Sequence, residues 1–508
     1  MTGKILLRRQ ILATVVCSLL VIGGSLFAYG RGWLSTADNF FFDLALSWRG
    51  PVATSGQVAL VLMDEDSAVR LKRQRGQWSR RMLAGALDNL CTAGAEVIGL
   101  DMLMSAPDQD QEADRLLTDA IARCNNVVLA RVSSAPGVEE IAPLEAFQEA
   151  MIGDGFIDVP LDEDGILRKV RFLNAKPQPD GGLALLPAFS LELARVYRNL
   201  EFNFDFSGRD YFLLGASGAE QFRLPYPDLL INYYGDYTSF AAISFADAVN
   251  NTFAPEKVRG KVVLVGSTLS SQKDFFTTPF TRFRQEAASL AGRFGDMEKG
   301  VQGSDEPGVA CHAHAVETIL NQAFIDHLTG RPVLLLTIIL GLAGLLFYLP
   351  RLGMVWEILL LLTVLAGIIG GSYLAFLYGS MRVDVAPLLA VFFLQFLTGV
   401  TLQKSFGRKK TAMITSMFGK YVSAGVVSEL IKGDISTTLE GRRANLTMLF
   451  SDLRGFTTLA ERLGARDTGL LLNAYFDTMV PLVFAHQGTL DKLMGDAVMA
   501  FFGAPLPV

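Results

Sequence analysis

The chain has 508 residues and a net charge of −6 at pH 7, with an isoelectric point near 5.5; it carries no basic footprint, which excludes nucleic-acid binding. Half of it, 50%, is apolar and its mean hydropathy is +0.33, too apolar for an ordinary soluble protein and indicative of membrane spans. The four cysteines form no Cys-x-x-Cys pair, which argues against a zinc site or a disulfide scaffold, and the length allows roughly two to four domains.

Residues 1–10 bring Lys4, Arg8 and Arg9 ahead of an apolar run over 11–30. A secretory signal has the same polarity. This run is longer than a signal core and no A-x-A site follows it, which favours an uncleaved first transmembrane helix with its N-terminus inside.

Residues 31–330 read as alternating strands and helices. The run 58–63 is continuously apolar, Ser79 is placed to cap a helix ending near Gly94, and 97–100 follows as a second strand. A helix over 112–123 leads into a strand at 127–130. After a more irregular middle, 229–233, 245–250 and 261–266 repeat the theme, and 308–321 closes it as a helix. Such alternation predicts an α/β layered domain with a largely parallel sheet. The polar, glycine-bearing stretch 284–306 reads as a mobile surface loop.

Asp64, Asp66 and Asp101 fall at the carboxyl ends of two strands expected to be neighbours, where open α/β sheets bind ligands. A cation or polar ligand is one reading; capping and loop hydrogen bonds are the other, and are favoured. His312 and His314 stand two apart on a predicted helix, so one is expected in the core and one exposed, with no metal pair. Cys91 and Cys124 allow a bridge, with buried free thiols the more common outcome.

Three more apolar runs, 331–350, 353–378 and 384–403, have bilayer-crossing length. Four spans put both ends on one side, and the basic clusters at 4–9 and 404–410 make that side the cytoplasm, with 31–330 facing outward. Glu357 is expected to snorkel from the cytoplasmic end of its span, a functional carboxylate being the alternative. Gln395 either bonds between helices or faces lipid. The segment 404–443 carries an apolar stripe (Met413, Met417, Phe418, Tyr421, Val426, Val427, Leu430, Ile431) suited to a dimerising helical linker.

The run 446–457 reads as a strand stopping at Asp452, with Leu446, Met448 and Phe450 on one face, and then a turn into a helix. The run 490–502 reads as a hairpin turning at Gly495-Asp496. If the two strands share a sheet, both carboxylates reach the same divalent cations, an arrangement suited to phosphoryl or nucleotidyl chemistry. The turn after Asp452 offers backbone N–H groups at a helix N-terminus to a polyphosphate.

The runs FSDLRGFT and KLMGDAVMAFFGAP in these two segments resemble the metal-binding segments of class III adenylate/guanylate cyclases. The resemblance implies that 444–508 is the N-terminal part of an α+β, ferredoxin-like catalytic domain, truncated at its C-terminus. It implies that Asp452 and Asp496 hold two Mg²⁺ (or Mn²⁺) ions per site. Leu453, Gly455, Phe456 and Thr457 match the loop that receives the triphosphate, and Lys492 matches the lysine that reads adenine, where guanylate cyclases tend to have glutamate. The family's sites form between two subunits, which implies a homodimer through the catalytic domain and linker. The second purine-reading residue and the asparagine and arginine that stabilise the transition state are expected past Val508, so the 508-residue chain alone is expected to turn over poorly.

The runs VALVLMDEDS, AGAEVIGLDMLMS, VRGKVVLVGST and PGVACHAHAVETIL resemble the second type of CHASE extracellular sensor, a family whose sensor is bracketed by one N-terminal and three C-terminal spans. Together the two resemblances imply a multi-domain, multi-pass protein of the cell (inner) membrane. An outside or periplasmic sensor for an unidentified ligand would control conversion of ATP to 3′,5′-cyclic AMP and pyrophosphate in the cytoplasm. A guanylate cyclase and an inert sensor and dimerisation module are the alternatives.

Overall fold

Six consecutive residues, Val58–Met63, are buried, as expected of a strand whose sheet is covered on both faces. A computed structural model describes residues 2–73, 78–133, 139–177, 183–206, 211–215, 221–283, 305–348, 353–418 and 444–504. The chain divides into two units. One comprises Ile22–Leu340 with Leu360–Val391, the other Met1–Val21, Gly341–Leu359 and Phe392–Val508.

The first unit is built on a six-stranded sheet in the order Ala241–Ser244, Val58–Met63, Val262–Ser267, Val97–Leu100, Val127–Arg131, Gly153–Phe156. All neighbouring pairs are parallel. Side chains alternate between two cores. Val61, Met63, Ile98 and Leu100 pack with the helices Arg80–Thr92 and Gln111–Cys124, while Leu60, Leu62, Val97 and Leu264 pack with Phe189–Tyr197 and Gly308–Leu320. Ser79 does cap its helix, its Oγ accepting from the Arg81 N–H at 3.3 Å. At Gly155 a β-carbon would fall 2.5 Å from the Phe189 Cα, so only glycine lets that helix lie so close to the sheet.

The strand order corrects two expectations. Val58–Met63 and Val97–Leu100 are not neighbours, because Val262–Ser267 inserts between them. Lateral order depends on how the crossover helices pack, which local periodicity does not record. The 229–233 run is not a main-sheet strand either: Asp228–Leu230 pairs antiparallel with Lys169–Arg171, and Ala241–Ser244 takes the sheet edge.

Cys91 and Cys124 are disulfide-bonded, with their Cα atoms 5.8 Å apart, joining the two helices on one face; the expectation of free thiols is overturned. His312 and His314 are both buried, at 5% and 0% exposure. Every residue of Gly308–Leu320 is buried, because Phe189, Tyr233 and Phe240 cover the side of the helix that amphipathic reasoning leaves to water. Burial holds His312 down to about 4 against the pull of Asp274, and His314 down to about 3.

A fully buried arginine ties the helix Ser35–Arg49 to a turn of the domain. Arg168 bonds both oxygens of Asp43, at 2.6 and 2.7 Å, and also Asp162 at 2.8 Å and Asp164 at 2.6 Å. Arg282 joins at 2.8 Å from Asp43. Below this, Asp326–Leu328 pairs in parallel with Met381–Val383. Asp384, just after that strand, lies 2.8 Å from His327 Nε2 and accepts from the Tyr29 hydroxyl at 3.0 Å.

Among the described residues, five helices are long and apolar enough to cross a membrane: Arg8–Gly30, Arg331–Tyr348, Met354–Gly379, Ala386–Phe406 and Phe456–Ala485. The fifth is the helix that follows Asp452. Within the second unit, Gln395 is fully buried and does bond between helices, donating to Ser18 Oγ at 2.8 Å and to the Gly341 carbonyl at 3.1 Å, and accepting from Tyr348 at 2.8 Å. Glu357 does not snorkel: it is 3% exposed and accepts from the Gln403 amide at 3.0 Å. Of the 404–443 linker, the backbone to residue 418 continues the helix Ala386–Phe418; residues 419–443 lie outside the described residues, as do 284–304 of the expected loop.

Candidate functional site

In the second unit, Thr447–Ser451, Ala497–Phe502 and Thr489–Met494 form an antiparallel sheet with Ala497–Phe502 in the middle. The helix Phe456–Ala485 covers one face. Leu490, Val498 and Ala500 are buried there with Val483, and Ser451 Oγ meets the Tyr475 hydroxyl at 2.7 Å. The other face leaves Met448 and Phe450 51% and 61% exposed.

The register decides where the two aspartates go. Ser451 pairs with Val498, so Asp452, one residue on, and Asp496, two residues before Val498, stand at the same end of adjacent strands. Asp452 is exposed and Asp496 half-buried. Neither carboxylate has a hydrogen-bond or ion-pair partner among the described residues, so both are open to a cation. They are only two donors: no cluster of three or more His, Cys, Asp or Glu suited to a metal occurs among the described residues. That set fits Mg²⁺, which takes one or two carboxylates and completes its shell with water and substrate phosphate.

Between the aspartates, Gly455 has φ +77° and stands at the N-cap of the helix without a side-chain cap. Only glycine adopts this conformation readily. It turns the chain into the helix: the Phe456 N–H donates to the Leu453 carbonyl at 3.2 Å, and no N-cap side chain is bonded over the N–H of Thr457 that follows. Lys492 lies on the edge strand, opposite Met499 and beside a bulge at Asp491. Its ammonium is 3.4 Å from Asp491 and 58% exposed, free to leave that pair. Gly495, at φ +67°, makes the hairpin turn.

The acidic residues of the first unit behave differently. Asp64 caps the helix Glu65–Arg70, accepting from Ser67 N at 2.8 Å and its Oγ at 2.6 Å, and Asp66 pairs with Arg70 at 3.2 Å. Capping accounts for Asp64 and an ion pair within the helix for Asp66. Asp101 stands at the end of Val97–Leu100, where burial pushes its carboxyl up to about 7. Sequence reasoning missed its neighbour Asp274, pushed up to about 6 by burial and by Asp101. A β-carbon on Gly308 would lie 2.7 Å from Asp274 Cγ, so that carboxyl sits at the start of the buried helix Gly308–Leu320.

A parallel α/β domain flanked by apolar helices of membrane-crossing length defines a membrane protein with a folded α/β domain outside its spans. A family model described as the CHASE2 domain matches residues 14–348, and the chain belongs to this family. It is also similar to Adenylate cyclase 1 of Rhizobium meliloti, 33% identical over 110 residues, which is 21% of this chain and 16% of that protein. Uncharacterized proteins of Mycobacterium bovis and Mycobacterium tuberculosis are each 30% identical over 109 residues, 20% of this chain and 19% of theirs. The matches thus span less than a fifth of these curated relatives.

Proposed function

We propose that the protein is a membrane receptor adenylate cyclase, in which the CHASE2 domain is an extracytoplasmic sensor controlling conversion of ATP to 3′,5′-cyclic AMP and pyrophosphate. The carrying observation is the register that brings Asp452 and Asp496 to one end of one sheet, with the Gly455 turn between them in sequence. The similarity to a protein named adenylate cyclase supports the reading.

In this reading Asp452 and Asp496 hold two Mg²⁺ ions, or Mn²⁺ in their place. Such ions activate an attacking oxygen and stabilise the leaving one. The chain's own part is to fix the substrate. Backbone N–H groups after Gly455, with Phe456 and Thr457, seat the triphosphate at a helix N-terminus, where the dipole favours negative charge. Lys492 is the adenine reader, contributed by the second chain of a homodimer.

Four spans serve this reading better than five. The helix Phe456–Ala485 is broken at Gly464 (φ +77°, ψ 167°) and carries Glu461, Arg462, Arg466, Asp467 and Asp477, costly in hydrocarbon; it also covers the sheet. The Cys91–Cys124 bridge suits an oxidising compartment and supports an outward CHASE2 domain.

The test is Mg²⁺-dependent cyclic-AMP formation by the full-length protein in membranes. Asp452→Ala and Asp496→Ala are each expected to abolish it. Undiminished turnover in either variant overturns the two-metal assignment, and a Lys492→Glu variant unchanged in its preference for ATP over GTP removes the adenine reader.

A further inference from the structure

The first unit contains a cavity of about 810 Å³ beside the point where the chain enters its second apolar helix. Its size is that of a small-molecule site. It is walled by Tyr211, Tyr226 and Phe324 and bordered by Asp326, His327 and Thr329, the last only two residues before Arg331, where the helix begins.

Five Lys, Arg, Asp and His side chains line it, and three are already engaged. Lys169 is 3.2 Å from Asp162, Asp228 is 3.5 Å from Arg171, and His327 is 2.8 Å from Asp384. Arg223 and Asp326 are not: neither side chain has a hydrogen-bond or ion-pair partner among the described residues. The Arg223 guanidinium carbon lies 4.0 Å from the Tyr211 ring centroid. Stacking of that kind holds the guanidinium in place and leaves its N–H edges for two parallel bonds to a carboxylate or phosphate. The cavity therefore offers one unused cation, one unused carboxylate and an aromatic wall.

We propose that this cavity binds a small zwitterion: an ammonium group joined through carbon atoms to a phosphate or carboxylate. The anion meets Arg223, the ammonium meets Asp326, and the connecting atoms lie against Tyr226 and Phe324. This deepens the sensor reading by naming its ligand class, and it is independent of any cyclase activity. Two sources present the same chemistry at this position, a phosphatidylethanolamine headgroup and a free phosphoethanolamine-like solute. The site also has a mechanical outlet. Asp326 belongs to the strand paired with Met381–Val383, and the next residue, His327, holds Asp384.

The experiment is a binding measurement on the full chain. In one arm, phosphoethanolamine is titrated calorimetrically into detergent-solubilised protein. In the other, native mass spectrometry counts phosphatidylethanolamine retained after release from nanodiscs of phosphatidylethanolamine and phosphatidylglycerol. Saturable binding of one molecule per chain in either arm is expected, and the arm that responds identifies the source. Arg223→Gln and Asp326→Asn are each expected to weaken binding about 10-fold or more, the loss of one charge-assisted hydrogen bond. Both side chains are exposed, so the variants keep the fold, which unchanged thermal unfolding verifies. No saturable binding in either arm, or wild-type binding by both variants, overturns the assignment. Because the readout is binding, its failure leaves the nucleotide-turnover test untouched.

Discussion

His327 Nε2 and Asp384 Oδ1 lie 2.8 Å apart, linking the strand that leaves the α/β domain to the loop between the third and fourth apolar helices. Burial alone would raise the Asp384 carboxyl, but the hydrogen bond and charge of His327, with Arg382 and Tyr29, hold it below the ordinary carboxylate range. A depressed carboxyl contributes stability above its unfolded value near about 4, lost as pH falls through the folded one. His327 is 35% exposed, so a double-mutant cycle of His327→Ala and Asp384→Asn should give a coupling of about 1 kcal/mol. Urea unfolding at pH 7 measures it, and additive single effects would remove the pairing.

The Cys91–Cys124 bridge closes a loop with a sequence separation of 33. Constraining the unfolded chain over that length is worth about 3–4 kcal/mol. Cys91→Ser should lower the urea midpoint of the domain to the level reached by the reduced wild type, and reductant should have no further effect on the variant.

Asp101 gives the domain an inverted acid response. Its folded carboxyl, at about 7, binds a proton more tightly than in the unfolded chain, where the value is near 3.8; Asp274, at about 6, has the same sign. Their contribution is fully present below pH about 4 and is lost as pH rises toward 7. Asp101→Asn should therefore flatten the decline in melting temperature between about pH 5 and 8. A variant that keeps the wild-type slope would show that the carboxyl titrates normally.

Arg168 is fully buried with three carboxylates around it. Arg168→Ala leaves Asp43 buried with only the half-exposed arm of Arg282 beside it, and removal of one partner from such a site costs about 3–5 kcal/mol. Arg171→Ala, a control at a surface pair whose arginine side chain is 52% exposed, should cost under about 1 kcal/mol. Equal losses in the two variants would contradict the buried-network account.

Local features were legible in the sequence. The continuous apolar run 58–63, the cap at Ser79 and the glycine turn at Gly495 each state their conformation within a few residues, and each is found. The strand Thr447–Ser451 and its hairpin partner were readable for the same reason. What was hidden is lateral and long-range. Nothing near Val97 announces that Val262–Ser267 will separate it from Val58–Met63, and nothing near His312 announces that Phe189 will cover it. The cavity beside Arg223 is assembled from separate loops and strands, so it has no contiguous pattern. For Asp452 and Asp496 the sequence supplied the turns, and register supplied the shared sheet end.

Gln395 holds three helices at once in a stretch otherwise made of hydrocarbon, through Ser18, Gly341 and Tyr348. Bonds of this kind have no water to replace them when broken. Twisting the helix Ala386–Phe406 about its own axis would strand all of them together, so the low-cost motions are those that carry the trio as a block, tilting or sliding with the amide clasp intact.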